Sequence, residues 1–244
     1  MRVIGRLDIK NNYVIKGIQL EGLRKVGDPI ELALKYYEQG ADELIFMDAV
    51  ASLYGRNNLF HIIEEACREI FVPIVIGGGI RNLSDIAMAL KSGADKIAIN
   101  TQAIRNPKII EESVYQYGSQ CIVGSIEAKR KGNSWEAYIE NGREETNIDA
   151  IGWAATLEKL GIGEIMVTSI DKDGTKSGFD LDLVSSINKA VNIPVIACGG
   201  AGNMQHINDL IKSCNSDISA FSAASVLHYD LLSITDIKRD LGVF

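Results

Sequence analysis

The chain has 244 residues, 46% of them hydrophobic and 23% charged, enough for a substantial core and within the size of one α/β barrel or two small domains. A formal charge of −7 argues against a large nucleic-acid surface, which needs clustered Lys and Arg, while leaving local binding of small anions open. No cationic stretch followed by an apolar signal segment opens the chain, and no apolar run approaches membrane-spanning length, so the default expectation is a cytoplasmic protein with no membrane partner.

In chain order, "VIGRLDIK" reads as a first strand ending at Asp8. The segment "NNYVIKGIQLEGLRKVG" that follows is well above the usual βα loop length and is expected to form a mobile lid carrying Lys16 over a ligand. Asp28-Pro29-Ile30-Glu31 then supplies a helix cap, a proline at the first helical position and a glutamate three residues after the cap. Further short Ile- and Val-rich runs, "ELIFMD", "PIVIGG", "KIAIN", "QCIVGSI", "EIMVTS", "PVIACGG" and "DISAFSAA", each follow a helix-period segment. Asn106-Pro107 is expected to repeat the cap and proline, and Gly40, Gly93, Gly118 and Gly161 sit where helices should stop. Eight strands, each with a following helix, imply a parallel sheet.

The chain also repeats itself. "VIGRLDIK" matches "IVGSIEAK", "GADELIFMD" matches "GIGEIMVTS", "VPIVIGGGIRNLSDI" matches "IPVIACGGAGNMQHI", and "ADKIAIN" more weakly matches "SDISAFS". Four βα units occurring twice predict a closed (β/α)8 TIM barrel with twofold internal repeat rather than a doubly wound open sheet, because closure removes both sheet edges. It is expected to be one domain over 1–244, with half-barrels of about 1–120 and 121–244.

Cys67, Cys121, Cys198 and Cys214 form no CxxC pair, and His61, His206 and His228 do not fall at ligand spacing with them; no metal site is expected. "DKDGTKSG" has spaced aspartates but lacks the remaining ligands of a calcium loop. Cys198 is singled out because it precedes "GGAG".

In such a barrel the chemistry belongs at the carboxyl ends of the strands, where Asp8, Asp48, Gly77, Gly78, Gly79, Asn100, Glu127, Thr168, Asp173, Gly174, Gly199, Gly200 and Ser225 fall. Asp8 ends the first strand and Glu127 the fifth, so they oppose each other across the mouth, an arrangement suited to general acid and base work. Helix capping, or pairing with Lys10 and Lys129, is the structural alternative. The two glycine runs, with Asn100-Thr101 and Ala224-Ser225 ending the neighbouring strands, predict two phosphate sites on opposite sides and an elongated substrate phosphorylated at both ends. Turns needing positive φ would require the same glycines.

The segments "LDIK", "VIKG", "GDP", "DELIFMD", "GGGIRN", "GADKIAINT", "GSQ", "EAKR", "GEIMVTSIDKDGTKSGFD", "CGGAG" and "AASVLH" together resemble the cyclase subunit family of imidazole glycerol phosphate synthase over essentially the whole chain. The resemblance favours that family over the related ribonucleotide isomerase of the same pathway. It implies a histidine-biosynthesis enzyme without cofactor. By that resemblance a glutamine amidotransferase partner is expected to dock at the amino-terminal face of the barrel as a heterodimer and to send ammonia through it. In the family the ammonia attacks a bisphosphorylated ribulosyl substrate, and lyase and cyclisation steps give imidazole glycerol phosphate and an aminoimidazole carboxamide ribotide.

By the same resemblance Asp8 is catalytic, Lys16, Asp48, Asn100 and Thr168 support the substrate, and the glycines and Ser225 hold phosphate. Arg2, Glu43, Lys96 and Glu164 match a charged ring that closes the partner-facing end. Glu127 stands where the family carries its second catalytic aspartate, Arg6 replaces a small residue just before Asp8, and Cys198 replaces a frequent serine. These departures, with "GRLDIK", "LEGLR", "VASLYGRN" and "SIEA", resemble a paralogous branch in which the barrel hands ammonia from a glutaminase to a sugar amidotransferase making acetamidino sugars, the alternative reading.

Overall fold

The computed structural model describes residues 1–49, 51 and 59–243. Its elements are β1 (Arg2–Lys10), β2 (Tyr13–Ile18), β3 (Glu21–Gly27), α1 (Pro29–Glu38), β4 (Glu43–Asp48), α2 (Phe60–Ala66), β5 (Ile74–Gly77), α3 (Leu83–Lys91), β6 (Lys96–Ile99), α4 (Thr101–Arg105) and α5 (Lys108–Tyr117). After a short 3-10 turn come β7 (Ile122–Lys131), β8 (Ser134–Ile139), β9 (Glu144–Asp149), α6 (Ala150–Lys159), β10 (Glu164–Ser169), α7 (Leu181–Ala190), β11 (Val195–Cys198), α8 (Met204–Ser213), β12 (Ala220–Ala223), α9 (Ser225–His228) and α10 (Ile234–Asp240). Of the stretch "VASLYGRN", all but Ala51 lies outside the described residues.

Among the described residues, β1, β4, β5, β6, β7, β10, β11 and β12 pair in parallel in that order, and β12 pairs back onto β1. The fold is therefore the expected closed (β/α)8 barrel, and β1 and β7 are diametrically opposed in it. Strand pleat sorts the side chains into two cores. Inward positions Ile4, Ile45, Val75, Ala98, Val123, Met166, Ile196 and Ala220 fill the barrel, while alternate residues such as Val3, Leu7, Leu44 and Phe46 pack against the helices.

Helix starts follow the local chemistry. Asp28 accepts from the amides of Ile30 and Glu31 at 2.8 and 3.1 Å, a cap contributing about 1 kcal/mol. Asn82 and Asn203 cap α3 and α8 with nearly the same backbone angles, φ −156° and −159°, directly after the two glycine runs. Asn106 differs from expectation: the cap position of α5 falls on Pro107, with no side-chain cap bond.

The four remaining strands were not expected. The segment anticipated as a lid loop is a β-ribbon, β2 running antiparallel to both β1 and β3, and β8 and β9 repeat it after β7. The β8–β9 connection carries Asn141-Gly142 at φ 57° and 75°, the left-handed pair that a tight hairpin turn demands.

At the amino-terminal end of the strands, Arg2 Nη1 lies 2.6 Å from Glu43 Oε2 and Nη2 bonds Glu164, while Lys96 Nζ lies 3.0 Å from both Glu43 Oε2 and Glu164 Oε2. The ring closes the barrel floor with charges balanced. Glu43 is fully buried, whereas Arg2 and Lys96 keep 30% and 21% of their side chains in water. Glu43→Ala is therefore expected to cost about 2 kcal/mol, below the usual penalty for orphaning a buried charge because hydration rescues part of it; urea unfolding would measure it.

Candidate active site

Period-two alternation along β1 points Arg2, Ile4, Arg6 and Asp8 to one side, so the same strand that contributes to the floor ring delivers two charged groups to the mouth. Asp8 is 7% exposed and Arg6 5%. Arg6 Nε donates to Asp8 Oδ1 at 2.8 Å, and Nη1 donates to Thr168 Oγ1 on β10 at 3.0 Å. Lys16, on β2, lies 3.3 Å from Asp8 Oδ2 and 2.8 Å from both oxygens of Asp173. The ribbon thus inserts a buried lysine under the mouth.

Glu127, opposite on β7, is 6% exposed and accepts the Gly142 amide at 2.7 Å, so the second ribbon serves the second carboxylate. Neither carboxylate pairs with its neighbouring lysine: Lys10 is exposed, and Lys129 sits over the Tyr138 ring.

The electrostatics separate the two acids. Burial raises the Glu127 carboxyl to about 7, against the nearby Arg6 and the Gly142 amide. Burial acts the same way on Asp8, but Arg6 and Lys16 outweigh it and hold that carboxyl well below the usual carboxylate range. Burial pushes the Cys198 thiol up. Cys198 lies in the barrel interior, receiving a hydrogen bond from Ser222 Oγ at 2.9 Å.

Two cavities flank the mouth. One, of about 100 Å³ on the β4–β7 side, is lined by Asp48, Gly78, Gly79, Asn100, Thr101 and Glu127. The other, of about 20 Å³ on the β10–β1 side, is lined by Arg6, Lys16, Asp173 and Gly174 together with Gly199, Gly200, Ala224 and Ser225. The loop glycines take positive φ in both, 87° and 71° at Gly78 and Gly79, 90° and 104° at Gly199 and Gly200. Gly77 lies in the strand, where a Cβ would strike Met47, and does not line the first cavity. Among the described residues Asn100 Oδ1 and Ser225 Oγ are buried without a protein partner, one in each cavity, and a bound polar ligand would satisfy both.

Sequence reasoning overlooked Arg81, Arg105, Glu140 and Ser125 in the first cavity and Ser222 in the second. Arg81 follows the glycine run directly, and Ser125 and Ser222 are legible as inward positions. Arg105 meets Glu140 at 2.9 Å across 35 positions, which no local pattern announces. Among the described residues no cluster of three or more His, Cys, Asp or Glu is placed to hold a metal ion, and no helix is long and apolar enough to cross a membrane.

A Cβ on Gly200 would collide with the Gly178 carbonyl oxygen, and an L-residue at that φ costs a further 1–2 kcal/mol or so. Gly200→Ala is expected to weaken inorganic phosphate binding at the second cavity while leaving the first intact, as phosphate titration followed by amide NMR would record.

Comparison with known proteins bears on this geometry. A family model described as histidine biosynthesis protein matches residues 2–233. Among curated proteins, an imidazole glycerol phosphate synthase subunit HisF from Legionella pneumophila is 54% identical over 209 residues, 85% of this chain and 99% of that protein. Proteins of the same name from Hydrogenobaculum sp. (strain Y04AAS1) and Bacillus cereus (strain AH187) are 49% and 45% identical over 241 residues, each covering 98% of this chain and 95% of the relative.

Proposed function

The chain belongs to the histidine biosynthesis protein family, and from that premise we propose that it is the cyclase subunit of an imidazole glycerol phosphate synthase. It takes ammonia and a bisphosphorylated ribulosyl substrate to imidazole glycerol phosphate and an aminoimidazole carboxamide ribotide. The observation that carries this reading is the placement of two opposed buried carboxylates, Asp8 and Glu127, between two glycine-loop cavities that each present an unpartnered polar atom. A substrate phosphorylated at both ends spans that distance, with its reacting centre between the carboxylates. Ammonia attack requires a proton to leave nitrogen and another to reach the departing oxygen, which is acid–base work.

Asp48, Asn100, Thr101, Gly78 and Gly79 serve one phosphate; Lys16, Asp173, Gly174, Gly199, Gly200, Ala224 and Ser225 serve the other. Thr168 and Cys198 support the site from beneath by flanking Arg6. The floor ring of Arg2, Glu43, Lys96 and Glu164 is the entry for ammonia from a glutamine amidotransferase docked on that face, in a cytoplasmic complex. On a division into half-barrels of about 1–120 and 121–244, each half supplies the glycine loop of one phosphate site, with Lys16 and Arg6 reaching the second site from the first half.

The names of the relatives reported above favour this reading over the delivery of ammonia to a sugar amidotransferase. Mixing the barrel with a glutamine amidotransferase subunit tests it: a 1:1 complex on gel filtration and glutamine-dependent consumption of the bisphosphorylated substrate are expected. A complex that consumes glutamine without touching that substrate would contradict the cyclase assignment.

A further inference from the structure

The two mouth carboxylates are built into different surroundings. Both oxygens of Asp8 face cations, Arg6 at 2.8 Å and Lys16 at 3.3 Å, and Lys16 is shared with Asp173 at 2.8 Å. Two buried cations and two buried carboxylates thus form a cluster whose charges cancel. Glu127 stands outside it, with the Gly142 amide as its hydrogen-bond donor and no cation in contact among the described residues.

Arg6 is fixed in its place. Its planar fork spans the interior from Asp8 on β1 to Thr168 on β10, and Thr168 is the register partner of Glu127. A lysine has no such planar fork to hold the two strands in one fixed geometry.

We propose that Arg6 is a positioning residue that, with Lys16, keeps Asp8 as a fixed unprotonated member of the charge cluster and leaves Glu127 as the group at the mouth that takes up and returns protons. The assignment deepens the cyclase reading, and rests on it for its catalytic meaning. The remaining charges agree with it. Asp8 is faced by Arg6, Lys16, Asp173 and His228; burial drives His228 down to about 4, so it is neutral near pH 7. Arg6, Asp8 and Asp173 act on Glu127. Asp48, Arg81, Arg105 and Glu140 line its cavity. Burial leaves Glu127 with a carboxyl at about 7, where an acid–base group works best.

Carboxyl ¹³C NMR titration of the whole chain, labelled at Asp and Glu, tests this without substrate. The expected wild-type result is one glutamate signal with a midpoint near pH 7, absent in Glu127→Gln, and an Asp8 signal, identified by its absence in Asp8→Asn, that stays ionised down to pH 4. In Arg6→Met the proton affinity of Asp8 should rise at least 100-fold, about two pKa units. An Asp8 midpoint above pH 5 in the wild type, or none of that rise in Arg6→Met, would overturn the proposal. Should Arg6→Met not fold, the wild-type and Glu127→Gln titrations decide by themselves. Absence of turnover beside the expected titration would count against the cyclase reading and leave the charge assignment standing.

Discussion

Asp8→Asn is expected to lower ammonia-dependent turnover by about 100- to 10,000-fold, the range seen when a positioned acid–base or charge group is lost. The amide is isosteric but neutral, so Arg6 and Lys16 are left with Asp173 as their one balancing carboxylate in the cluster. A net buried positive charge then sits beneath the mouth, and Arg6 loses the partner that sets its geometry. Phosphate binding follows a different course. The second cavity is built from backbone and from Lys16, Arg6 and Ser225, so inorganic phosphate should bind at least as tightly to the variant as to the wild type. Steady-state assay with an ammonium salt, beside phosphate titration, separates the two effects; unchanged turnover contradicts the role given to Asp8.

Glu127→Gln is expected to reduce turnover over the same range, about 100- to 10,000-fold, and to remove the ionisation near pH 7 from the pH–rate profile. Its effect on stability has the opposite sign. The folded-state carboxyl is raised from its ordinary 4.5 to about 7, so the native protein holds a proton that the unfolded chain has released between those values. The stability this contributes is fully present below pH 4.5 and is lost as pH rises through 7. Glutamine mimics the protonated form at all pH. The variant should therefore match the wild type below pH 4.5 and exceed it well above pH 7 by about 3 kcal/mol, the free energy of moving the carboxyl from 4.5 to about 7. Urea unfolding at pH 4.5 and pH 8 checks the sign.

Glu127→Asp is informative in another way. It keeps the charge but withdraws the carboxylate by about 1.5 Å, a displacement of the size that can cost about 100-fold. It also lengthens the 2.7 Å contact with Gly142 that anchors the group to the second ribbon. Glutamate at this position and the ribbon turn that meets it form one unit.

The barrel itself was legible because its signals are local and repeated. The Asp28 cap and Pro29 start α1 as the residue pattern requires, and the paired glycine runs end β5 and follow β11 with matching backbone angles. The ribbons are less legible, although Asn141-Gly142 announces a tight hairpin turn, because in a strand–helix alternation the segment between a strand and its helix has the place of a connection, and the pairing that makes it a ribbon is set by β1 and β7. Lys16 is expected on a lid; instead its burial and bonds to Asp8 and Asp173 come from the β2 pairing to β1, which depends on residues across the sheet. Arg6 shows the same division. Period two from Asp8 turns it inward, yet only the folded barrel reveals Thr168 as its second partner and separates the environments of Asp8 and Glu127. Arg105 and Glu140 meet because the β8–β9 ribbon lies against α4.

The central claim is that this barrel performs cyclase chemistry with Asp8 and Glu127 at the mouth. Ammonia-dependent turnover of the purified chain on the bisphosphorylated ribulosyl substrate, with the Glu127→Asp variant alongside, tests it most directly. The account predicts robust formation of both products by the wild type and a large loss in the variant. No activity in the wild type, with activity gained on substituting aspartate, would contradict it and mark the mouth as turned away from this reaction.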